Sequence, residues 1–352
     1  MTEFLDSIDR VFSSIVNLVE QVLFFEIGGF PLIISWLLVG GIFFTLRLDF
    51  INIRGFKHAL DVAFGKYNDP QNTVQGEVSS FQALATALSA SVGLGNIAGV
   101  AIAIQIGGPG AVFWMTVGGF LGMSSKFVEC TLGVQYRQVY PDGTVMGGPM
   151  YYLSEGLKDL GKAKLGQGLA IFYGVAGLGA AVGGGNMFQA NQSFAALAAV
   201  VPGMQTYDWA FGLIVALLVG LVIIGGISRI GVVTSKLIPL MIGIYILASL
   251  WVLGVNIRSI PGAFILMFRE AFSTSGLEGG MIGILVQGIR RSAFSNGAGL
   301  GSAAIAHAVA KTKEPIQEGI VAILEPFIDT ILICNLTALV IITTGIYGEA
   351  VG

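Results

Sequence analysis

Two short stretches set serine, asparagine and dense glycine inside otherwise apolar runs. The first is SASVGLGNIAGVAIAI, from Ser89 to Ile104, where Ser91, Gly93, Gly95 and Asn96 interrupt the pattern. The second is AFSNGAGLGSAAIAHA, from Ala293 to Ala308, with Phe294, Ser295, Asn296, Gly297, Gly299, Gly301 and Ser302. A helix broken in hydrocarbon frees peptide N–H and C=O groups that water cannot reach. Such breaks persist only where protein or a polar cavity meets them. The chemistry on offer is recognition of a small zwitterion and an ion. The N-terminal end of a half-helix presents N–H groups and a positive dipole to a carboxylate. The C-terminal end presents carbonyls to an ammonium group or to sodium. Neither break holds a carboxylate, and a neutral amide lining suits a zwitterion better than a bare cation or anion. A third wall is expected from GGGNMFQANQ, where Asn186 and Gln189 are three apart and share a helix face. Buried amides need partners; a polar solute provides them, and so would a helix–helix amide bond.

The elements that position these residues follow from composition. Only 11% of the 352 residues are charged, 54% are hydrophobic and the mean hydropathy is +0.81. A soluble domain carries about 25% charged residues, so the chain reads as a polytopic membrane protein. Apolar runs long enough to cross a bilayer are expected at 27–46, 80–107, 110–135, 168–200, 209–227, 234–256, 281–308 and 317–347. FINIRGFKHALDVAFGKY, between the first two, and the stretch around 258–275 read as surface-lying segments. MTEFLDSIDR lacks a basic region with a cleavage site, so the first span is expected to direct insertion itself. The net charge of −3 and the lack of a basic cluster argue against a nucleic-acid partner. Cys130 and Cys334 fall in apolar stretches, without metal-ligand spacing.

Basic residues set the orientation. Arg47, Arg54, Lys57 and Lys66 follow span one; Arg137, Lys158, Lys162 and Lys164 follow span three. Arg229 and Lys236 separate spans five and six, and Lys311 and Lys313 the last two. The alternate loops and N-terminus hold only Arg10, Arg258 and Arg269. The alternation puts the N-terminus outside. Spans two and seven then run in opposite senses, and the offset of five spans between them inverts the topology. Paired, glycine-interrupted spans in inverted units are a sequence pointer to a transporter's binding site.

Glycines also serve as packing faces that let helices approach. Gly118, Gly119 and Gly122 in span three fit that role, as do Gly174, Gly177 and Gly179 in span four. Among in-span charges, Lys126 and Glu129 are expected to pair at i, i+3. Glu325 and Asp329 suit either a proton or cation path or the capping of buried backbone. Arg290 and Arg291 suit an outer gate or a partner for a span-eight acid. His307 reads as an interfacial histidine rather than a proton relay. Without a nucleophile–base arrangement the chain is not expected to be an enzyme, and a channel would need a charged ring or carbonyl filter.

The runs TALSASVGLGNIAGVAIAI, GGPGAVFWM, GGPMYYLSEGL, GNMFQAN, FSNGAGLGSAAIAHA and FIDTILICNLTALVI, in that order, resemble the alanine or glycine:cation symporter family, also called sodium:alanine symporters. The resemblance implies an all-α polytopic LeuT-type fold of two inverted five-helix repeats. Residues 1–77 would hold an extra N-terminal helix and the cytoplasmic amphipathic segment, 78–256 the first repeat, and 257–352 a surface segment and the first two helices of the second repeat. It implies sodium-coupled import of a small neutral amino acid, alanine or glycine, by alternating access across the inner membrane, with no cofactor besides the coupling ion. Ser91, Gly93, Gly95 and Asn96 would line the first break, Asn186 and Gln189 the helix wall, and Phe294, Ser295, Asn296 and Gly297 the second, with Phe294 closing over the solute. Sodium would sit on the backbone carbonyls of Ala90, Ser91 and Gly93. Two departures stand out. The family pattern has an acid where this chain has Gly297, which bears on ion stoichiometry or rate. The chain also stops at Gly352, before the helices expected to complete the second repeat. A non-transporting solute-binding chain is therefore a rival expectation, and a proton in place of sodium would direct attention to Asp329 or Glu325.

Overall fold

A computed structural model of the chain describes residues 24–27, 30–67, 75–201, 203–273 and 280–348, with scattered positions between 13 and 22. Arg10 and the end of the 258–275 segment lie outside the described residues.

The described chain is almost wholly helical. A small hairpin, β1 (Glu26–Ile27) with β2 (Phe30–Pro31), leads into α1 (Leu32–Arg47). The basic amphipathic stretch forms α2 (Ile51–Arg54) and α3 (Phe56–Ala63). Span two is two helices, α4 (Ser80–Ser91) and α5 (Leu94–Gly107), bent by 40° at Val92–Gly93. Ser79 starts α4 with a capping box: its hydroxyl accepts from Gln82 N–H, and the Gln82 amide oxygen accepts from Ser79 N–H. Span three is one unbroken helix, α6 (Gly110–Gln135). A second hairpin, β3 (Gln138–Val139) with β4 (Val145–Met146), precedes α7 (Pro149–Asp159).

Span four runs as α8 (Ala163–Ala180), a π-helical turn (Ala181–Met187) and α9 (Phe188–Val200). Then come α10 (Asp208–Ile223), α11 (Gly226–Val255) and α12 (Ile260–Ala271). Span seven is broken into α13 (Gly280–Asn296) and α14 (Ser302–Ala308). Span eight passes through α15 (Pro315–Ala322), α16 (Leu324–Pro326), a π segment (Phe327–Cys334) and α17 (Asn335–Thr344). Among the described residues four helical runs are long and apolar enough to cross a bilayer, or five when α4 and α5 count as one bent span. The apolar helices α1 and α10 have 16 residues each. The architecture is that of an all-α, multi-pass membrane protein.

The centre of the packing is α6. Its glycine stripe behaves as expected of close-approach positions. A Cβ on Gly118 would stand 2.8 Å from the Ser292 side chain, one on Gly119 2.9 Å from Thr330, and one on Gly122 3.2 Å from Ala298. The span-four glycines do not. A Cβ on Gly174 would come no nearer than 3.9 Å to Met150, and nothing lies within 4 Å of one on Gly179. Gly177 meets only Tyr173 of its own helix, at 3.8 Å. The packing reading of Gly174, Gly177 and Gly179 is corrected: among the described residues no helix approaches these positions closely enough to require glycine. Overpacking a tight core costs about 1–3 kcal/mol. Gly119→Val should therefore lower the denaturant midpoint of the purified chain, whereas Gly179→Ala should leave it unchanged or slightly raised by helix propensity. Equal effects at the two sites would contradict the packing.

Candidate functional site

At the first break α4 ends at Ser91 and α5 starts at Leu94. The Leu88 carbonyl accepts from Val92 N–H at 2.8 Å. The carbonyls of Ser89, Ala90 and Ser91 receive no backbone hydrogen bond from the described residues beyond the helix. The Gly93 carbonyl accepts from Asn96 N–H at 3.2 Å, so it keeps one lone pair free. The Ser91 hydroxyl turns back along its own helix, to the carbonyls of Ala87 and Leu88. Unpaired carbonyls at the end of a half-helix are the groups that suit a cation.

Asn96 is 1% exposed and ties the break together. Its Oδ1 accepts from Gly93 N–H at 2.7 Å. Its Nδ2 donates to Ser295 Oγ at 3.1 Å and to the Asp329 carbonyl at 3.0 Å. Gly95 makes the approach possible, since a Cβ there would lie 3.1 Å from Ser295 Cα. The two interrupted spans, 199 residues apart in sequence at this contact, thus touch through the residues that interrupt them.

The second break is a glycine loop. Gly297, Gly299 and Gly301 take φ of +61°, +88° and +74°, which L side chains rarely adopt. Asn296 Oδ1 caps Ala298 N–H at 2.9 Å, while its Nδ2 donates to Thr330 Oγ1 at 3.1 Å and Ser292 Oγ at 3.2 Å. The Glu129 carboxylate accepts from Gly299 N–H, and Tyr173 of α8 donates to the Leu300 carbonyl at 2.9 Å. Behind Asn296, between α1 and α6, is a crevice of about 30 Å³. That is room for a water rather than a solute.

Asp329 stands where the two breaks meet. It lies in the π segment after Pro326 and is 0% exposed. Its Oδ1 accepts from the hydroxyls of Ser295 and Thr330, the latter at 2.8 Å, and its Oδ2 has no partner among the described residues. Of the two span-eight acids, Asp329 stands at the junction of the breaks and Glu325 pairs with a cation. Lys126 Nζ lies 3.2 Å from Glu325 Oε1, both buried. This corrects the expected Lys126–Glu129 pair. On α6 the two point to different neighbours, one to α16 and the other to the glycine loop. Among the described residues Arg290 makes no ion pair with a span-eight acid; it sits 4.6 Å over the Phe24 ring. His307 is corrected too: it is fully buried, with Nδ1 2.7 Å from Glu318 Oε2.

The remaining expected residues divide. Gln189 borders the first break, its Oε1 3.4 Å from where a Gly93 Cβ would lie. Phe294 is 50% exposed, with a ring carbon 3.6 Å from where a Gly95 Cβ would lie. Asn186 is exposed and donates to the Ala181 carbonyl of its own π turn at 3.0 Å, so it is no buried amide awaiting a partner. Gly297 is half-buried, with Lys126 Nζ 3.8 Å from its Cβ position, so an acid there would face an ammonium. Thr330, Ser292, Tyr173 and Glu318 carry contacts that the sequence does not single out. Pro326 and the Asp329–Thr330 pair inside an apolar run are the available signal for the first of these.

Residues 9–351 match the model of the sodium:alanine symporter family. The chain belongs to the sodium:alanine symporter family. It is 44% identical over 332 residues to the sodium/alanine symporter AgcS of Methanococcus maripaludis, covering 94% of this chain and 71% of the relative. It is 40% identical to an uncharacterized transporter of Haemophilus influenzae, covering 92% and 69%. It is 35% identical to the probable sodium/glutamine symporter GlnT of Bacillus subtilis, covering 90% and 63%. The chain thus spans roughly two thirds of the length of these relatives. Membership makes it a sodium-coupled amino-acid symporter chain of the membrane and not an enzyme.

Proposed function

We propose that the chain serves import of a small neutral amino acid, alanine foremost and glycine next, together with sodium, by alternating access. The observation that carries the reading is the direct contact of the two broken spans: Asn96 of the first donates to Ser295 of the second. Opposed half-helices meeting in the core are the arrangement of inverted-repeat transporters with a site near the midplane. On this reading the fold is LeuT-type. Residues 78–256 form the first repeat, 257–352 belong to the second, and the N-terminus lies outside the inner membrane. Sodium sits on the carbonyls of Ala90, Ser91 and Gly93. Gly93, Gly95, Gln189, Phe294 and Gly297 border the solute, while Asn96, Ser295 and Asn296 hold the two breaks in register. Alanine is favoured by the 44% identity to a relative named for it, against 35% to the one named for glutamine.

Binding of labelled alanine to the purified chain, with and without sodium, tests this. Binding should require sodium and yield to unlabelled glycine more readily than to glutamine. Asn296→Ala should weaken it at least about tenfold, the effect of roughly 1.4 kcal/mol from unpairing a buried group, since Ala298 N–H loses its acceptor and Thr330 Oγ1 its amide donor. Membrane insertion should be unchanged. Alanine binding indifferent to sodium would sink the coupling, and wild-type binding by Asn296→Ala would remove Asn296 from the site.

A further inference from the structure

Just past α1 the chain turns through two consecutive left-handed residues that are not glycine, Asp49 (φ +49°) and Phe50 (φ +56°). L side chains rarely adopt this conformation. Before the turn the Thr45 hydroxyl lies 2.8 Å from that of Ser124 in α6. After it, Asn52 Nδ2 donates to the Phe120 carbonyl, one turn earlier in α6, at 3.0 Å. The turn therefore folds α2 and α3 back against the bundle. Gly55, between them, keeps helical angles (φ −79°, ψ −15°), so α2 and α3 act as one helical run.

One face of this run is fastened. Ala59, Val62 and Ala63 are buried in a cluster with Ile320, Val321 and Ile323. Phe56 packs edge-on against Phe327, with ring centroids 4.6 Å apart. The roll of the run about its own axis is thereby fixed, and so is the face that it turns outward.

That outward face is apolar with a cation in it. Ile53, Lys57, Leu60 and Phe64 recur at i, i+4, i+7 and i+11, the spacing of one helical stripe, and all four are exposed. Ile53 is 62% exposed and Phe64 76%. The stripe follows directly on α1, which exposes Trp36, Phe43 and Leu46 as a helix facing hydrocarbon does. Acyl chains that cover α1 are therefore the nearest apolar material to the stripe.

Charge selects among lipids. Residues 47–66 carry Arg47, Arg54, Lys57 and Lys66 against Asp49 and Asp61. Lys66 pairs with Asp61 at 2.9 Å, and Arg54 stands 3.8 Å from Asp49. Arg47 and Lys57 are exposed and make no ion pair among the described residues. A basic cluster on an amphipathic helix beside a membrane span attracts anionic headgroups. A zwitterionic headgroup brings its own ammonium and gains less.

We propose that the outward face of α2 and α3 is a binding surface for anionic phospholipid, with acyl chains along Ile53, Leu60 and Phe64 and headgroups drawn to Arg47 and Lys57. The surface is separate from the solute site and does not rest on the alanine reading.

Cys130 and Cys334 are both buried, so a bimane fluorophore on Leu60→Cys reports from the middle of the stripe. The full chain is placed in phosphatidylcholine nanodiscs with increasing shares of brominated lipid, either phosphatidylglycerol or phosphatidylcholine. Bromine quenches only near contact, and the ratio of the two quenching constants gives the preference at the stripe. Phosphatidylglycerol should be favoured at least about fivefold, the gain expected from one interfacial cation. About 1 M salt, which cuts the screening length to roughly 3 Å, should bring the ratio towards one. Arg47→Gln with Lys57→Gln should do the same at low salt. Arg229→Gln with Lys236→Gln, exposed bases on α11, should keep the full preference. The salt arm needs no charge variant, so misfolding of one leaves a test in place. Equal quenching by the two lipids, a preference that survives Arg47→Gln with Lys57→Gln, or one lost equally in the α11 variant overturns the proposal. So does quenching by neither lipid, which would put a protein segment on the stripe.

Discussion

Lys126→Met should lower the unfolding free energy by about 3–5 kcal/mol, the amount typical of removing one partner from a buried ion pair. Lys126 is 0% exposed, and its ammonium is the cation that Glu325 pairs with, at 3.2 Å. Without it two carboxylates, Glu325 and Glu129, remain near one another with Oε2 atoms that already lack partners. Adding Glu325→Gln removes one of those charges, so the double variant should be more stable than Lys126→Met alone. It should not return to wild type, because Glu129 still lies close by. Denaturant unfolding of the two single variants and the double in detergent closes the cycle. A coupling energy near zero would mean that the pair at 3.2 Å carries no net attraction, and the corrected pairing would fall with it. Retained glycine-loop geometry is a second readout, since Gly299 N–H is held by Glu129 rather than by Lys126. Loss of stability should therefore precede loss of the loop.

The sequence is read best where one physical rule acts alone. Span three needs only its length and apolarity, and α6 runs over the same 110–135. Both breaks are legible because glycine beside amide side chains survives in hydrocarbon only where protein or a polar cavity meets the freed backbone. The errors arise where the outcome depends on which helix is the neighbour. Lys126 and Glu129 have the spacing of a helical ion pair, yet in a crowded interior each is nearer to a group on another element. Gly118 and Gly179 are the same residue type in similar runs, and only the presence of Ser292 beside the first separates them. His307 reads as interfacial when counted along span seven, but α14 is short and the segment after it, residues 309–311, is hydrogen-bonded to Glu77 and Val78, leaving His307 buried. Glu318, in the first turn of α15, draws no reading because an acid there suits any helix N-terminus; its histidine partner, eleven residues earlier, is brought to it by the turn between the helices. The π segment over Phe327–Cys334 is invisible in the sequence for a different reason. Its wider turn leaves no periodic mark in so apolar a run, yet it is what carries Asp329 to the junction of the breaks.

That junction gives the second large effect. Asn96→Ala should abolish sodium-dependent alanine binding, with at least about a hundredfold loss of affinity, and lower stability by about 2–4 kcal/mol. The stability term follows from leaving buried groups unsatisfied at about 1–3 kcal/mol each: Gly93 N–H loses its acceptor, and the Asp329 carbonyl and Ser295 Oγ lose a donor. The binding term follows from geometry, because Gly93 fixes where the free carbonyls of α4 end and Ser295 fixes the start of the glycine loop. Asn96→Asp separates the two functions of the side chain. An aspartate still accepts from Gly93 N–H, so the first break keeps its cap. It has no amide hydrogens to give, and it sets a second carboxylate against the Asp329 carbonyl and the Ser295 hydroxyl. Stability should fall in the order wild type, Asn96→Ala, Asn96→Asp, since an absent donor is less costly than a repelling charge in a dry site. Wild-type binding and stability in Asn96→Asp would mean that the cap alone matters. The two broken spans would then be neighbours without being coupled, and the site would have to be rebuilt around the first break only.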